Sequence, residues 1–252
     1  MQNINFQNLF RPSKIVENNV LFRHFYSPET PLVYDYNEIQ FKKMPSFPEF
    51  IHTEEYLLHF QFKHLQKHLK FCFPENKPLP SELIEYFIHA EYGKALLELY
   101  SIHPEQFPET ADTTDLISIQ KVTCQHLQTY LTFEYELDIE LGTTFAEQKQ
   151  FLYKKYFHSN DILQLLAYYQ GKPVGSVDVI LSENTAELDN FIVLPPYRNK
   201  GIGSRLQKYV MNQFADKIVI LAADGYDTAR EMYRKQNYQY LGYRCEVLKV
   251  SE

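Results

Sequence analysis

The stretch VLPPYRNKGIGSRL at residues 193–206 has the composition of an anion-binding turn. The chain has only eight glycines, and two of them, Gly201 and Gly203, lie here beside Arg198 and Lys200. An amphipathic helical pattern follows, and the first N–H groups of a helix have no partner inside it. Because those groups and the helix dipole favour negative charge, the stretch predicts a phosphate site.

Two common phosphate-binding motifs fit this stretch badly. The dinucleotide motif GxGxxG requires a third glycine where Leu206 stands, and the P-loop requires a lysine after its last glycine, whereas Lys200 precedes Gly201. The spacing R-x-x-G-x-G, from Arg198 to Gly203, instead resembles the acetyl-CoA pyrophosphate arm of the GCN5-related N-acetyltransferase (GNAT) superfamily.

Two flanking patterns carry the same resemblance. The arm follows a strand pattern that ends apolar-x-Pro at residues 191–195, as in the family. Residues 229–238, AREMYRKQNY, are similar to the family pattern AxxxYxKxGF, with Asn237 and Tyr238 in place of Gly and Phe. Asn tolerates left-handed backbone angles better than most residues, so the first replacement is mild. The resemblance covers residues 112–252.

The resemblance implies a binding site for acetyl-CoA, the donor substrate. In the family it lies between two parallel strands that splay apart, here 186–194 and 217–223. The pantetheine would pair with backbone groups of the first strand, and the pyrophosphate would bind N–H groups of the arm. The implied donor-binding residues are Phe191, Ile192, Val193, Arg198, Asn199, Lys200, Gly201, Ile202, Gly203 and Ser204.

The resemblance also implies two catalytic residues, Tyr233 and Glu187. Tyr233 stands where the family often has the general acid that protonates the leaving thiolate, a step that a Tyr can perform; the alternative is a core aromatic residue. Glu187 stands where several relatives carry a catalytic glutamate. Strand alternation places it on one face with Phe191 and Val193, and the acidic start of this face indicates an open cleft; the alternative is a solvated strand end.

Other candidates are weaker. Leu221 stands where some relatives carry another base, and Tyr226 stands where an Asn often contacts the donor. His64 and His68 lie four apart in a predicted helix, but HExxH requires Glu where Leu65 stands, so no metal site is predicted and both histidines are expected to be exposed.

Bulk composition limits the function classes. The chain has 252 residues and a net charge of −7, which argues against a nucleic-acid partner. Its three cysteines are far apart and form no CxxC pair, which favours a reducing compartment. No signal-peptide core or membrane-length apolar run is present, so a soluble cytoplasmic protein without a membrane partner is expected.

The proline- and acid-rich stretch at residues 103–115 predicts a linker, which gives an N-terminal α+β domain at 1–110 and a GNAT domain at 111–252. The N-terminal half has a single glycine, Gly93, and is therefore poorly suited to a phosphate loop. It is compatible with a degenerate second copy of the same fold, which would form a wall of the acceptor cleft or mediate dimerisation.

Hydrophobic periodicity predicts the elements of both halves. The predicted strands are 20–26, 32–41, 68–73, 116–122, 161–170, 172–181, 186–194, 217–223 and 238–250. The predicted helices are 47–68, 81–89, 123–141, 143–157, 204–214 and 227–236, and 94–102 is either a strand or a helical extension. The fold class is α/β, layered α+β, with a mixed central sheet and splayed parallel strands of the acyl-CoA N-acyltransferase type.

These patterns lead to one functional hypothesis and two alternatives. The resemblance implies an acetyl-CoA-dependent N-acetyltransferase that acts directly on a primary amine. Its acceptor is expected to be small, such as a free amino acid or polyamine, and the chain to be a monomer or homodimer. The alternatives are acetylation of protein N-termini or lysines, and a CoA-binding protein with little catalysis.

Overall fold

The computed structural model describes residues 4–109, 116–226 and 229–251. The chain forms two compact units. Unit 1 comprises Met1–Glu98, Ala223–Arg230 and Leu241–Glu252, and unit 2 comprises Leu99–Ala222 and Glu231–Tyr240.

Unit 1 contains an antiparallel meander followed by a parallel strand pair. Its elements are β1 (Lys14–Asn18), β2 (Phe22–Tyr26), β3 (Glu38–Phe41), α1 (Phe47–Lys63), β4 (His68–Cys72), α2 (Ser81–His89) and the first part of β5 (Gly93–Ile102). β1, β2 and β3 pair antiparallel, and β3 pairs parallel with β4. One face of this sheet packs a core rich in aromatic residues, which includes Phe41, Phe50, Phe71 and Phe87.

Unit 2 has the element order predicted for the C-terminal half. Its elements are β6 (Ile117–Lys121), α3 (Leu127–Asp138), α4 (Thr143–Phe157), β7 (Ile162–Tyr169), β8 (Lys172–Leu181), β9 (Thr185–Val193), α5 (Ile202–Gln213), and most of β10 (Ile218–Asp224) and of α6 (Ala229–Lys235). β6, β7, β8 and β9 pair antiparallel in that order, and β10 pairs parallel with β9. This mixed α/β arrangement confirms the predicted fold class.

The two units do not divide the chain at the predicted boundary, residue 110, since each unit contains residues from both sides of it. The last strand of the chain, β11 (Gln239–Val250), pairs antiparallel with β4, from Glu246 opposite Cys72 to Val250 opposite His68. Most of β11 therefore belongs to unit 1, whereas the last four residues of β5, 99–102, belong to unit 2. Local sequence patterns do not show which strands pair with one another. The linker signal could therefore not reveal how β5 and β11 divide between the two units. Residues 110–115 of the predicted linker, and Asp227, lie outside the described residues.

Three local predictions for the N-terminal half are wrong. The helix predicted to end at His68 ends at Lys63, because Leu65 adopts a left-handed φ of 55° and the chain leaves the helix there. His68 then lies buried in β4, so it does not share a helix face with His64. The strand predicted at 32–41 is a 3-10 turn followed by the short β3. Residues 94–102, predicted as either a strand or a helical extension, form part of the strand β5.

Two buried histidines predict that unit 1 loses stability in acid. Burial, with the neighbouring His64 and His68, lowers the pKa of His24 to about 4, and burial lowers the pKa of His68 to about 4. The unfolded chain binds these protons near pH 6.5, so stability is complete above about pH 6.5 and declines as the pH falls towards about 4. Each histidine accounts for up to about 3 kcal/mol of this loss.

Urea unfolding at a series of pH values checks this expectation. His68→Gln removes one titrating group, while its amide still has a donor for the Asn37 carbonyl that His68 Nε2 contacts at 2.8 Å. We expect the variant to show a shallower decline of unfolding free energy with acid than the wild type. An equally steep decline in both proteins contradicts the assignment.

Candidate active site

β9 and β10 separate after a short parallel pairing. Thr185, Ala186 and Glu187 pair with Ile218, Val219 and Ile220, and no further pair is formed, although β9 continues to Val193 and β10 to Asp224. The predicted splay of these parallel strands is therefore present. It leaves one edge of β9, from about residue 188 onwards, without a partner strand among the described residues.

A β-bulge at Asn190 interrupts β9 where the two strands have separated. Asp178 of β8 lies opposite Asp189, but Ser176 lies opposite Ile192, so two residues of β9 face one residue of β8. Asn190 has a left-handed φ of 48°. Since opposite residues share a face, Asp189 and Ile192 lie on the same face although they are three apart.

The bulge makes the predicted face assignment wrong. Alternation through an unbroken strand placed Glu187 on one face with Phe191 and Val193. The structure places Phe191 and Val193 against α5, where a Cβ at Gly203 would meet them at 3.3 Å and 3.7 Å. The extra residue of a bulge reverses the alternation beyond it, so Glu187 and Asp189 point to the opposite face, together with Asp178.

The resemblance assigns the thioester end of the donor to Phe191–Val193, the predicted thioester segment, which has no partner strand on the splayed side among the described residues. The Leu194 N–H donates to the Val174 carbonyl of β8 at 2.9 Å. Backbone groups alternate between the two edges of a strand, so those of Val193 point to the splayed edge. The side chains of Phe191, Ile192 and Val193 are half-buried.

The arm enters α5 through two left-handed residues. Asn199 has a φ of 61° and Gly201, the N-cap of α5, has a φ of 82°. The bond from the Arg205 N–H to the Gly201 carbonyl, 3.0 Å, is the first of the helix. The N–H groups of Ile202, Gly203 and Ser204 in the first turn have no partner within the helix, which makes an anion site.

Cationic side chains flank this helix N-terminus. Arg198 Nε donates to the Val193 carbonyl at 3.2 Å, which ties the arm to the end of β9. The Lys200 ammonium lies over the rings of Tyr169 and Tyr197, 4.9 Å and 5.3 Å from their centroids. The arm therefore combines free N–H groups with two positive charges.

Tyr233 lies in α6 inside a cluster of three tyrosines. Its ring centroid is 5.5 Å from that of Tyr100 and 5.4 Å from that of Tyr238, and the side chain is buried, at 6% exposure. The Tyr238 N–H donates to the Tyr233 carbonyl at 3.0 Å, which closes the end of α6. Asn237 has a φ of 66°, so the expectation that Asn replaces the family glycine in a left-handed position is confirmed.

Glu187 does not line an open cleft, so that expectation is wrong. Its side chain is buried, at 9% exposure, and Ile220 and Ile180 lie opposite it on the two neighbouring strands. Leu221 is buried and Tyr226 is exposed.

Two buried carboxyl groups, those of Glu134 and Asp178, lie near the bulge. The sequence did not predict them, because the segment 134–140 has the composition of a solvated helix face. Glu134 and Asp178 are both buried, with 0% and 1% exposure. Glu134 Oε2 accepts a hydrogen bond from Asn190 Nδ2 at 2.8 Å, and Asp178 Oδ1 accepts one from the Tyr130 hydroxyl at 2.7 Å. The other oxygen of each carboxyl group has no hydrogen-bond partner among the described residues.

Burial raises the pKa of Glu134, and burial together with the neighbouring charge of Glu134 raises the pKa of Asp178 well above its usual range. Two carboxyl groups in such surroundings favour protonation. The pair lies under β8 and β9 at the bulge, and the Glu134–Asn190 bond fixes the bulge conformation.

The bulge conformation leads to a stability prediction. Asn190→Ala removes the hydrogen bond to Glu134 and places Ala at a left-handed φ, so we expect a loss of about 1–3 kcal/mol in the free energy of unfolding. Asn190→Gly removes the same hydrogen bond but accommodates the φ, and we expect it to be less destabilising than the Ala variant. Urea unfolding of both variants tests this order. An Ala variant as stable as the wild type excludes a fixed bulge.

A cavity of about 350 Å³ lies between α3 and the ends of β8 and β9. Leu194, next to the predicted thioester segment, and Pro173 form one wall, and Thr129, Thr132 and Phe133 of α3 contribute to the other. Glu136 is the one charged residue among those that line it.

The described residues contain neither a cluster suited to a metal ion nor a helix suited to crossing a membrane. Within 4–109, 116–226 and 229–251, no group of three or more His, Cys, Asp or Glu residues is arranged to hold a metal ion. Over the same residues, no helix has both the length and the apolar character that crossing a membrane requires.

Comparison with known families agrees with the resemblance to the GNAT superfamily. Residues 125–238 match the acetyltransferase (GNAT) family, and this region of the chain belongs to that family. Residues 4–100 match a domain of unknown function, DUF5613. No curated protein matches the chain.

Solved structures similar to the chain include one of substantial identity. A functionally unknown conserved protein from Staphylococcus epidermidis ATCC 12228 is 31% identical, with a TM-score of 0.91, and the match covers 99% of this chain and 98% of that one. A GCN5-related N-acetyltransferase from Kribbella flavida is 13% identical, with a TM-score of 0.63 and coverage of 95% and 90%. One from Sphaerobacter thermophilus is 14% identical, with a TM-score of 0.58 and coverage of 93% and 82%. The last two similarities concern the fold alone.

Proposed function

We propose that the protein is an acetyl-CoA-dependent N-acetyltransferase that moves an acetyl group directly to a primary amine of a small acceptor. The observation that carries this proposal is the arm, whose left-handed residues Asn199 and Gly201 lead into the open N-terminus of α5 beside the splay of β9 and β10. Free N–H groups and two cations suit a pyrophosphate. The edge of β9 beyond Glu187, which has no partner strand among the described residues, suits an extended pantetheine, which would add to β9 as a further strand does.

In the proposed reaction the acceptor nitrogen attacks the thioester carbonyl, and the C–S bond breaks as the new C–N bond forms. A backbone N–H of the splayed edge of β9 polarises the carbonyl oxygen. Tyr233 donates its hydroxyl proton to the departing CoA sulfur, and Glu187, which does not line the acceptor cavity, receives the proton that the amine loses through a hydrogen-bonded relay.

The acceptor is proposed to be small because the cavity beside Leu194 is small. Its volume of about 350 Å³ lies at the low end of the range for small-molecule sites. Glu136 provides one negative charge for an ammonium group, and the other lining residues are neutral. A free amino acid or a polyamine has this chemistry.

The N-terminal half is proposed to be a degenerate copy of the same fold. In both halves an antiparallel meander precedes a parallel pair, β3 with β4 and β9 with β10, and a helix connects the strands of the pair. The helix N-terminus that would bind phosphate is occupied in the N-terminal half: the Glu49 carboxylate accepts the Ser46 N–H at 2.8 Å and the Ser46 hydroxyl at 3.0 Å. This carboxylate would repel a phosphate, so α1 is not a second donor site.

Thiol release from acetyl-CoA in the presence of an amine panel tests the proposal. The panel contains free amino acids, polyamines, peptides with a free N-terminus and peptides with an internal lysine. We expect thiol release with at least one of the first two classes. Release only with peptides indicates the protein-acetylating alternative. Acetyl-CoA binding without release in any class indicates a CoA-binding protein with little catalysis.

A further inference from the structure

Unit 1 contains a cavity of its own, of about 290 Å³, on the face of its sheet opposite the aromatic core. It lies where the parallel strands β3 and β4 end, since its lining includes Phe41 and Lys42 after β3 and Phe73 to Glu75 after β4. Crevices at the carboxyl ends of parallel strands are common ligand sites in α/β sheets. None of its lining residues belongs to the arm or lines the cavity beside α3.

Most of the charged residues that line this cavity are cations. Arg23 of β2, Lys42 and Arg244 of β11 contribute three positive charges, and Glu75 contributes one negative charge. Glu75 Oε1 accepts the Phe6 N–H at 3.1 Å. The Lys42 ammonium bonds to neutral acceptors, the Asn18 side chain and the Asn19 carbonyl, and Arg23 has no ion-pair partner among the described residues.

Arg244 is a fixed donor in this cavity. The residue is buried, at 6% exposure, and its guanidinium lies 4.8 Å from the centroid of the Phe6 ring. Nε and Nη2 donate to Glu246 Oε1 at 2.9 Å and 2.5 Å. In the described part of the chain Nη1 has no hydrogen-bond partner, yet it is not among the atoms sealed from solvent, so it is available to a ligand in the cavity.

A network of ionised side chains lies next to the cavity. Its positive and negative charges balance one another, so it does not neutralise Arg23 or Lys42. Lys70 contacts Asp35, Glu38 and Glu246, with 3.6 Å to Glu38 and 2.9 Å to Glu246. Arg11 lies 3.0 Å from Glu38. The three cations Arg11, Lys70 and Arg244 thus match the three carboxylates. Burial raises the pKa of Cys72 in the cavity wall well above its usual range, so this thiol is neutral.

We propose that unit 1 binds a small organic anion in this cavity, one with a carboxylate or phosphate group on a compact apolar body. Arg23, Lys42 and the free Nη1 of Arg244 contact the anionic group, because a guanidinium is well matched to carboxylate and phosphate oxygens. The ring of Phe6 contacts the apolar body. The inference does not depend on acetyl transfer by unit 2.

Ligand-observed NMR titration of the full chain with three probes tests the proposal. Benzoate and phenyl phosphate carry the two candidate anionic groups, and benzamide is a neutral molecule of the shape of benzoate. We expect at least one of the anions to bind saturably, and benzamide to bind about tenfold more weakly or not at all, since one charge-assisted hydrogen bond is worth about that factor or more.

Two variants locate the binding. Arg23→Gln removes a cavity cation outside the buried ion network, and we expect it to weaken anion binding about tenfold. Lys14→Gln removes an exposed cation of β1 that does not line the cavity, and we expect no change. Equal binding of benzamide and benzoate overturns the proposal. So does anion binding that persists in folded Arg23→Gln, or that is lost in Gly203→Glu, which would assign the anion to α5.

Discussion

The variant Gly203→Glu is expected to weaken acetyl-CoA binding by more than about a hundredfold, because two or more charge-assisted hydrogen bonds to the pyrophosphate are lost. Gly203 lies in the first turn of α5, and even a Cβ there would approach Phe191 at 3.3 Å. A glutamate adds bulk against β9 and a negative charge at the anion site, and both act against the pyrophosphate. Isothermal titration with acetyl-CoA measures the change.

The matched control makes the same substitution where no anion site exists. Gly93 starts β5, is exposed, and a Cβ there would be in ordinary contact at 3.5 Å from the Leu248 carbonyl oxygen. We expect Gly93→Glu to bind acetyl-CoA as the wild type does. If folded Gly203→Glu binds acetyl-CoA with wild-type affinity, the assignment of the pyrophosphate to the arm is wrong.

The second large effect is expected at Tyr233. Tyr233→Phe keeps the ring in the cluster with Tyr100 and Tyr238 but removes the hydroxyl that we propose as general acid. Loss of a general acid typically slows turnover by about 10²- to 10⁴-fold. We therefore expect kcat to fall in this range while the affinity for acetyl-CoA stays unchanged. Steady-state thiol release and titration with acetyl-CoA measure the two quantities.

Tyr238→Phe is the matched control for this prediction. Tyr238 is buried next to Tyr233, and its hydroxyl has no hydrogen-bond partner among the described residues. Removing that hydroxyl leaves no partner group unpaired, so we expect turnover and stability close to those of the wild type. A Tyr233→Phe enzyme that is as active as Tyr238→Phe shows that Tyr233 serves the core and not the reaction.

The sequence predicted unit 2 well because its signals are local. Turn residues and alternating strands gave β7, β8 and β9 within a few residues, and helical spacing gave α4 and α5. The arm was recognisable because a left-handed residue and a close approach at a helix start both favour glycine, as at Gly201 and Gly203.

Other features depend on tertiary contacts that local patterns do not contain. The bulge at Asn190 follows from the register between β8 and β9, and it reverses the face of every later residue of β9. Glu134 is acidic and would be expected at the surface, yet it is buried because it bonds to this bulge. An Asn in the middle of a strand pattern, such as Asn190, could have suggested the left-handed φ that the structure shows there.

The pairing of strands that lie far apart in the chain could not be predicted from the sequence either. β11 is 12 residues long and reads as an ordinary final strand, but it pairs with β4, more than 160 positions earlier in the chain. The buried ions Lys70 and Glu246 meet only because of that pairing. The cationic cavity of unit 1, which contains Arg244 of β11, could not be foreseen for the same reason.

Hydrogen exchange of the wild-type chain with and without acetyl-CoA shows whether acetyl-CoA binds in the splay of β9 and β10 with its pyrophosphate on the arm. We expect slower amide exchange on binding in peptides that cover Phe191 to Val193 and Asn199 to Ser204, because N–H groups in both stretches would bond to the donor. Peptides from α1, whose N-terminus is closed by Glu49, should exchange as before. Binding of acetyl-CoA that leaves exchange unchanged at Asn199 to Ser204 would contradict the account.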